Sequence, residues 1–91
     1  MSEHNKQTTN KIITTLDLPE DLFLGLADIS LLGNRKLYIS NHRGILSYNS
    51  NEIIIMTKDY QIQLNGKNLD IMNYSKDELS IYGYISSLEF R

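Results

Sequence analysis

The stretch Tyr60-Gln61-Ile62-Gln63-Leu64-Asn65-Gly66-Lys67-Asn68-Leu69-Asp70-Ile71 holds two alternating apolar and polar runs on either side of an Asn-Gly pair. Side chains alternate along a strand, so Tyr60, Ile62 and Leu64 share one face and Gln61 and Gln63 the other. Asn65-Gly66 supplies the two positive-φ residues of a type I′ turn, whose twist matches the strands it joins. The pattern predicts a β-hairpin. Outward from it, from Asp28 on, the chain keeps the same texture. Short runs are punctuated at Gly33-Asn34, Asn41-His42-Arg43-Gly44, Asn49-Ser50-Asn51, Lys58-Asp59, Tyr74-Ser75-Lys76-Asp77 and Gly83. Strands of about 5–6 residues between turn clusters mark an all-β domain.

A weak repeat runs through the same region. Ile29-x-Leu31-x-Gly33, Leu46-x-Tyr48-x-Ser50, Ile62-x-Leu64-x-Gly66 and Leu79-x-Ile81-x-Gly83 begin 17, 16 and 17 positions apart. Each is followed by a second alternating pair: Leu37 with Ile39, Ile53 with Ile55, Leu69 with Ile71, and Leu88 with Phe90. Such a period fits either stacked rungs of a short β-solenoid or successive antiparallel hairpins. The Asn-Gly turn favours hairpins, because solenoid rungs stack in parallel. The expected fold is a small antiparallel β-sandwich or curled meander of about 7–8 short strands, with the solenoid as the alternative. Its core is predicted from the second pairs just named, with Ile62, Leu64, Leu79, Ile81 and one side of Ile53-Ile54-Ile55-Met56. Ile54, Met56, Met72, Tyr82 and Tyr84 fall on the opposite face. They are covered by the N-terminal arm or a second layer, or else form a patch for partners or for a second copy.

Ahead of this all-β unit, assigned to residues 27–91, lie two other segments. Residues 1–11 are polar and aperiodic, the composition of a disordered tail. Residues 12–26 read as an N-terminal arm whose Pro19-Glu20-Asp21 resembles a helix first turn. With 91 residues the chain makes one small domain. Nine Lys and Arg against 11 Asp and Glu, with no basic block, argue against nucleic acid. The longest apolar run, Ile53-Ile54-Ile55-Met56, is far short of the roughly 20 residues that span a bilayer. Without a secretory h-region at the start, the default compartment is the cytoplasm.

Polar chemistry is sparse. The chain has no cysteine and two histidines, of which His4 lies in the tail, so His42 is the sole credible imidazole. Glu20-Asp21 and Asp77-Glu78 are adjacent carboxylates in turns, not a pocketed acid/base pair. No glycine-rich phosphate loop is present. These absences predict no enzyme, no metal and no cofactor. Asn41-His42-Arg43-Gly44 is the cluster that stands out. Read structurally, it is a turn in which Asn41 bonds its own backbone and Gly44 takes a positive φ. Read functionally, Arg43 and His42 form a donor fork for a carboxylate or phosphate, with His42 sensitive between pH 5 and 8.

The stretches Leu18-Pro19-Glu20-Asp21, Ile29-Ser30-Leu31-Leu32-Gly33, Leu37-Tyr38-Ile39-Ser40-Asn41-His42-Arg43-Gly44-Ile45-Leu46, Leu64-Asn65-Gly66-Lys67-Asn68-Leu69 and Ile81-Tyr82-Gly83-Tyr84-Ile85-Ser86-Ser87-Leu88 together carry a family resemblance. In order and spacing they resemble the YqfC-like branch of the YabP/YqfC sporulation protein family, over residues 16–91. The Asn-His-Arg-Gly stretch is what separates that branch from its YabP-like relatives. The resemblance implies a small soluble β-sandwich made in the mother cell of an endospore-forming Firmicute, with no catalytic residues to carry over. Its members tend to be encoded beside a membrane protein, which implies a membrane-associated partner and recruitment to the forespore surface. The expected function is that of an adaptor or scaffold in forespore envelope assembly. The turn Asn41 to Gly44 and the side chains Ile54, Met56, Tyr82 and Tyr84 are its candidate partner surface. The alternative is a module that binds an envelope carbohydrate or lipid headgroup through Tyr82, Tyr84 and Arg43.

Overall fold

The computed structural model describes residues 24–91. Six strands follow one another: β1 Asp28–Leu32, β2 Lys36–Ser40, β3 Ile45–Tyr48, β4 Glu52–Met56, β5 Gln61–Tyr74 and β6 Glu78–Phe90. They form one sheet in the order β1-β2-β6-β5-β4-β3, and every neighbouring pair is antiparallel. The all-β antiparallel class is as the sequence predicts. Antiparallel pairing throughout excludes the solenoid. The sheet is single and curled, with six strands, and it is not a simple meander because the chain passes from β2 to the far edge at β3. The predicted tail and the arm up to residue 23 lie outside the described residues. Leu24 and Gly25 form a turn, with Gly25 at φ +78°.

The Asn65-Gly66 hairpin does not form. Both residues lie inside the continuous strand β5, and neither has a positive φ. Asn65 is paired on both sides, with Glu52 of β4 and Ser87 of β6. The Gly66 and Leu69 amides donate to the Asn51 and Ser50 carbonyls, both at 2.9 Å. Two long-range partners thus satisfy the backbone groups that a local turn would have closed on itself. The stretch becomes a corner. Asn68 takes φ +54°, and the register shifts between Lys67 and Asp70 opposite Gly83, itself at φ +149°. The true hairpin turn is Ser75-Lys76-Asp77, between β5 and β6. The strand count follows: the last two repeat units each fuse their two short strands into one long bent strand.

The bulges also switch which positions face inward. On β5 the buried side chains are Ile62 and Leu64 before the corner and Leu69 after it. One cluster unites Leu37, Ile39, Leu79 and Ile81 from the β1-β2 end of the sheet with Ile53, Ile55, Ile62 and Leu64 from the β3-β4 end. These eight are fully buried, which a flat sheet of one layer cannot achieve, so the two halves curl their apolar faces together. Each contributes about 1.5–3 kcal/mol relative to exposure. Phe90 departs from its predicted core role: it is 62% exposed and meets Tyr60 edge to face, with ring centroids 5.3 Å apart. β2 pairs with the first part of β6, from Glu78 to Tyr82, and the β1-β2 turn reaches Gly83 and Ile85, so among the described residues the end of β6 has β5 as its one sheet neighbour.

On the outer face, interaction with the Glu78 carboxylate holds the Tyr38 phenol above its ordinary range, helped by partial desolvation and the Asp28 charge. The folded chain therefore keeps this proton more tightly than the unfolded one. Stability is undiminished below the unfolded value near pH 10 and falls as pH rises through the folded value. Glu78→Gln is expected to soften that alkaline decline, checked by urea midpoints taken from about pH 9 to about pH 11.

Candidate functional site

The loop from Asn41 to Gly44 carries the chain from one half of the curled sheet to the other, and it is fastened to both. On one side the Asn41 amide donates to the Asp77 carbonyl at 2.7 Å, at the β5-β6 turn. On the other, the Arg43 amide donates to the Met56 carbonyl and the Met56 amide to the Gly44 carbonyl, both at 2.8 Å. Asn41 at φ +65° and Gly44 at φ +118° give the loop its two left-handed steps. The positive φ predicted at Gly44 is present. The Asn41 side chain reaches elsewhere than expected, donating through Nδ2 to the Leu26 carbonyl at 3.3 Å.

His42 is buried beneath this loop. Its Nδ1 accepts from the Gly44 amide at 2.9 Å, so Nε2 carries the proton and donates to the Ser75 carbonyl, also at 2.9 Å. Its ring stacks on Tyr74, with centroids 5.3 Å apart. Both ring nitrogens are engaged inside the protein. Of the expected donor fork, only Arg43 faces solvent.

Arg43 lines an open cleft of 610 Å³ with Gly25, Asn41, His42, Gly44, Tyr74, Lys76 and Asp77. Arg43 and Lys76 give it two cations against the single carboxylate of Asp77, so it suits an acidic group. Tyr74, Lys76 and Asp77 were not picked out from the sequence as site residues. They lie more than 30 positions from Arg43, and only the curl of the sheet brings them there. Arg43 lies beyond the far end of β2 from the Lys36–Tyr82 pair, so it does not join Tyr82 and Tyr84 in one site.

The four apolar candidates are also divided. Half-buried Ile54 faces outward between Ser47 and Gln63, beside a polar ladder. In that ladder Gln63 Nε2 donates to Glu52 at 2.9 Å and Asn65 Nδ2 to Ser87 Oγ at 2.9 Å, while Arg91 Nη1 donates to Gln63 Oε1 at 2.6 Å. Met56 ends β4 opposite Gln61. Tyr82 and Tyr84 sit on β6 among cations: Lys36 Nζ is 5.2 Å from the Tyr82 ring centroid, and the Arg35 guanidinium carbon is 4.1 Å from that of Tyr84. Among the described residues no three His, Cys, Asp or Glu side chains are grouped to hold a metal ion, and no helix is long and apolar enough to cross a membrane.

Comparison with known proteins agrees with the motif resemblance. The chain is similar to the uncharacterized protein YqfC of Bacillus subtilis (strain 168), 29% identical over 90 residues that span 99% of this chain and 97% of the relative. No solved structure matches it significantly. The model of the YabP family matches residues 25–91, the whole sheet and the cleft with it. The chain belongs to the YabP family.

Proposed function

We propose that this chain is a non-catalytic adaptor that docks an acidic segment of a partner protein in the cleft between Arg43 and Lys76. Family membership implies a sporulation-related protein. The adaptor works in the mother cell, recruited to the forespore surface during envelope assembly by a membrane-associated protein; self-association is a further form of the same contact. The observation that carries the reading is the cleft itself, where two cations from separate elements face solvent around one fastened loop. An arginine fork is suited to a carboxylate, which it can bind through two parallel hydrogen bonds. His42 supports a non-catalytic role, because its acceptor nitrogen Nδ1 is taken by the Gly44 backbone amide and its Nε2 is held on the Ser75 carbonyl, which leaves no lone pair turned to a substrate proton.

A functional fluorescent fusion in sporulating cells tests this. The wild type is expected to ring the forespore, and to disperse when the membrane-associated partner that the family resemblance implies is removed. Arg43→Ala and Lys76→Ala should each weaken partner capture by about tenfold, the scale of a lost charge-assisted hydrogen bond. A signal that is diffuse in every strain would sink the adaptor reading.

A further inference from the structure

At the end of β2 remote from the cleft, the turn between β1 and β2 carries a different surface. Leu31 and Leu32 are 52% and 71% exposed. Consecutive strand residues point to opposite faces, so a pocket on one side of the sheet could bury only one of them. Both are buried together if the tip itself enters an apolar phase. The turn is shaped for that: the Arg35 amide closes it on the Leu32 carbonyl at 3.2 Å, and Gly33 has nothing within 4 Å of where a Cβ would lie.

Behind the tip lies a cationic and aromatic belt. Lys36 pairs with both Leu32 and Tyr82, and Lys67 pairs with Tyr84, which Arg35 overlies. Three cations stand against Asp70, whose carboxylate accepts from the Tyr48 hydroxyl at 3.3 Å. This local excess of positive charge belongs to a chain of net charge −2. Of the other carboxylates on the outward face, Asp28 and Glu78 sit in the row at the opposite end of β1 and β6, and Glu52 and Glu89 lie in the ladder with Gln63 and Asn65. Exposed leucines at a tip, with arginine, lysines and tyrosines one row behind, match the layers of a bilayer surface: acyl chains first, then phosphates and the interface that tyrosine prefers.

We propose that the β1-β2 tip is a docking site for an anionic phospholipid surface, with Leu31 and Leu32 inserted and Arg35, Lys36 and Lys67 at the phosphate level. This is independent of the cleft, which it would leave facing away from the bilayer. The test is co-sedimentation of the full chain with vesicles of phosphatidylglycerol in phosphatidylcholine, and with phosphatidylcholine alone. Binding is expected to the first and at least about tenfold weaker to the second, and to fall in high salt. Leu31→Ser with Leu32→Ser should lower it by at least about tenfold, and Lys67→Glu should do so more than Lys58→Glu, which makes the same charge change elsewhere. The exposed leucine sites leave the unfolding midpoint near that of the wild type. A chain that stays in the supernatant with anionic vesicles would overturn the proposal. So would a leucine double variant that pellets like the wild type, or tip variants that lose capture of an acidic protein while vesicle binding is unchanged.

Discussion

Gly66→Ala is expected to cost about 3 kcal/mol or more, enough to leave much of the chain unfolded at room temperature. A Cβ at this position would overlap the Tyr84 carbonyl oxygen, lie 3.0 Å from its carbon and meet Leu69 Cδ2 at 3.1 Å. Backbone of a paired neighbouring strand cannot step aside as a flexible side chain can, and Leu69 is itself part of the buried cluster. The corner of β5 would have to open, and with it the approach of the two halves of the sheet. Urea unfolding followed by far-UV circular dichroism measures the effect. Gly33→Ala calibrates it. Unlike Gly66, that residue has a positive φ, +54°, and open space around it, so only conformational strain of about 1–2 kcal/mol is expected. Equal costs at the two positions would show that Gly66 is a turn residue and that the corner is wrong.

His42→Ala is expected to cost about 2–3 kcal/mol and to loosen the cleft. Removing the ring leaves the Gly44 amide without its acceptor and the Ser75 carbonyl without its donor, and strips the stacked face of Tyr74. Ser75 can turn to water, whereas the Gly44 amide is half-buried and pays more of its desolvation. Because the loop is fastened to the β5-β6 turn through Asn41 and His42 together, the variant should raise amide hydrogen exchange at Asn41 to Gly44 and Ser75 to Asp77 while the core strands stay protected. Unchanged exchange in the loop would remove His42 from the role of fastener.

Much of the strand pattern was legible because alternation is local. Leu37, Ile39, Leu79 and Ile81 announce their face by period two, and the turns at Gly33-Asn34, Asn49-Ser50-Asn51 and Ser75-Lys76-Asp77 contain the residue types that close turns. At Asn49 the mechanism is visible in detail: its Oδ1 accepts from the amides of Asn51 and Glu52, both at 2.8 Å. The loop Asn41 to Gly44 was likewise marked by its composition. What it holds was not, since Tyr74, Lys76 and Asp77 reach the cleft only through the register of β5 on β6. The same holds for Tyr82 and Tyr84, whose cation partners come from the first residue of β2 and from the β1-β2 turn.

Residue order alone therefore determined the class of secondary structure, the identity of most core side chains and the loop on which the cleft is built. Tertiary structure decided whether Asn65-Gly66 would turn or continue. A type I′ turn satisfies backbone groups within one hairpin, but here β4 and β6 offer hydrogen bonds on both sides of the strand, and Gly66 is kept because only a residue without Cβ lets the Tyr84 backbone approach. Local propensity prescribes a turn where nothing competes, and long-range pairing with burial overrides it where two neighbours are already in place.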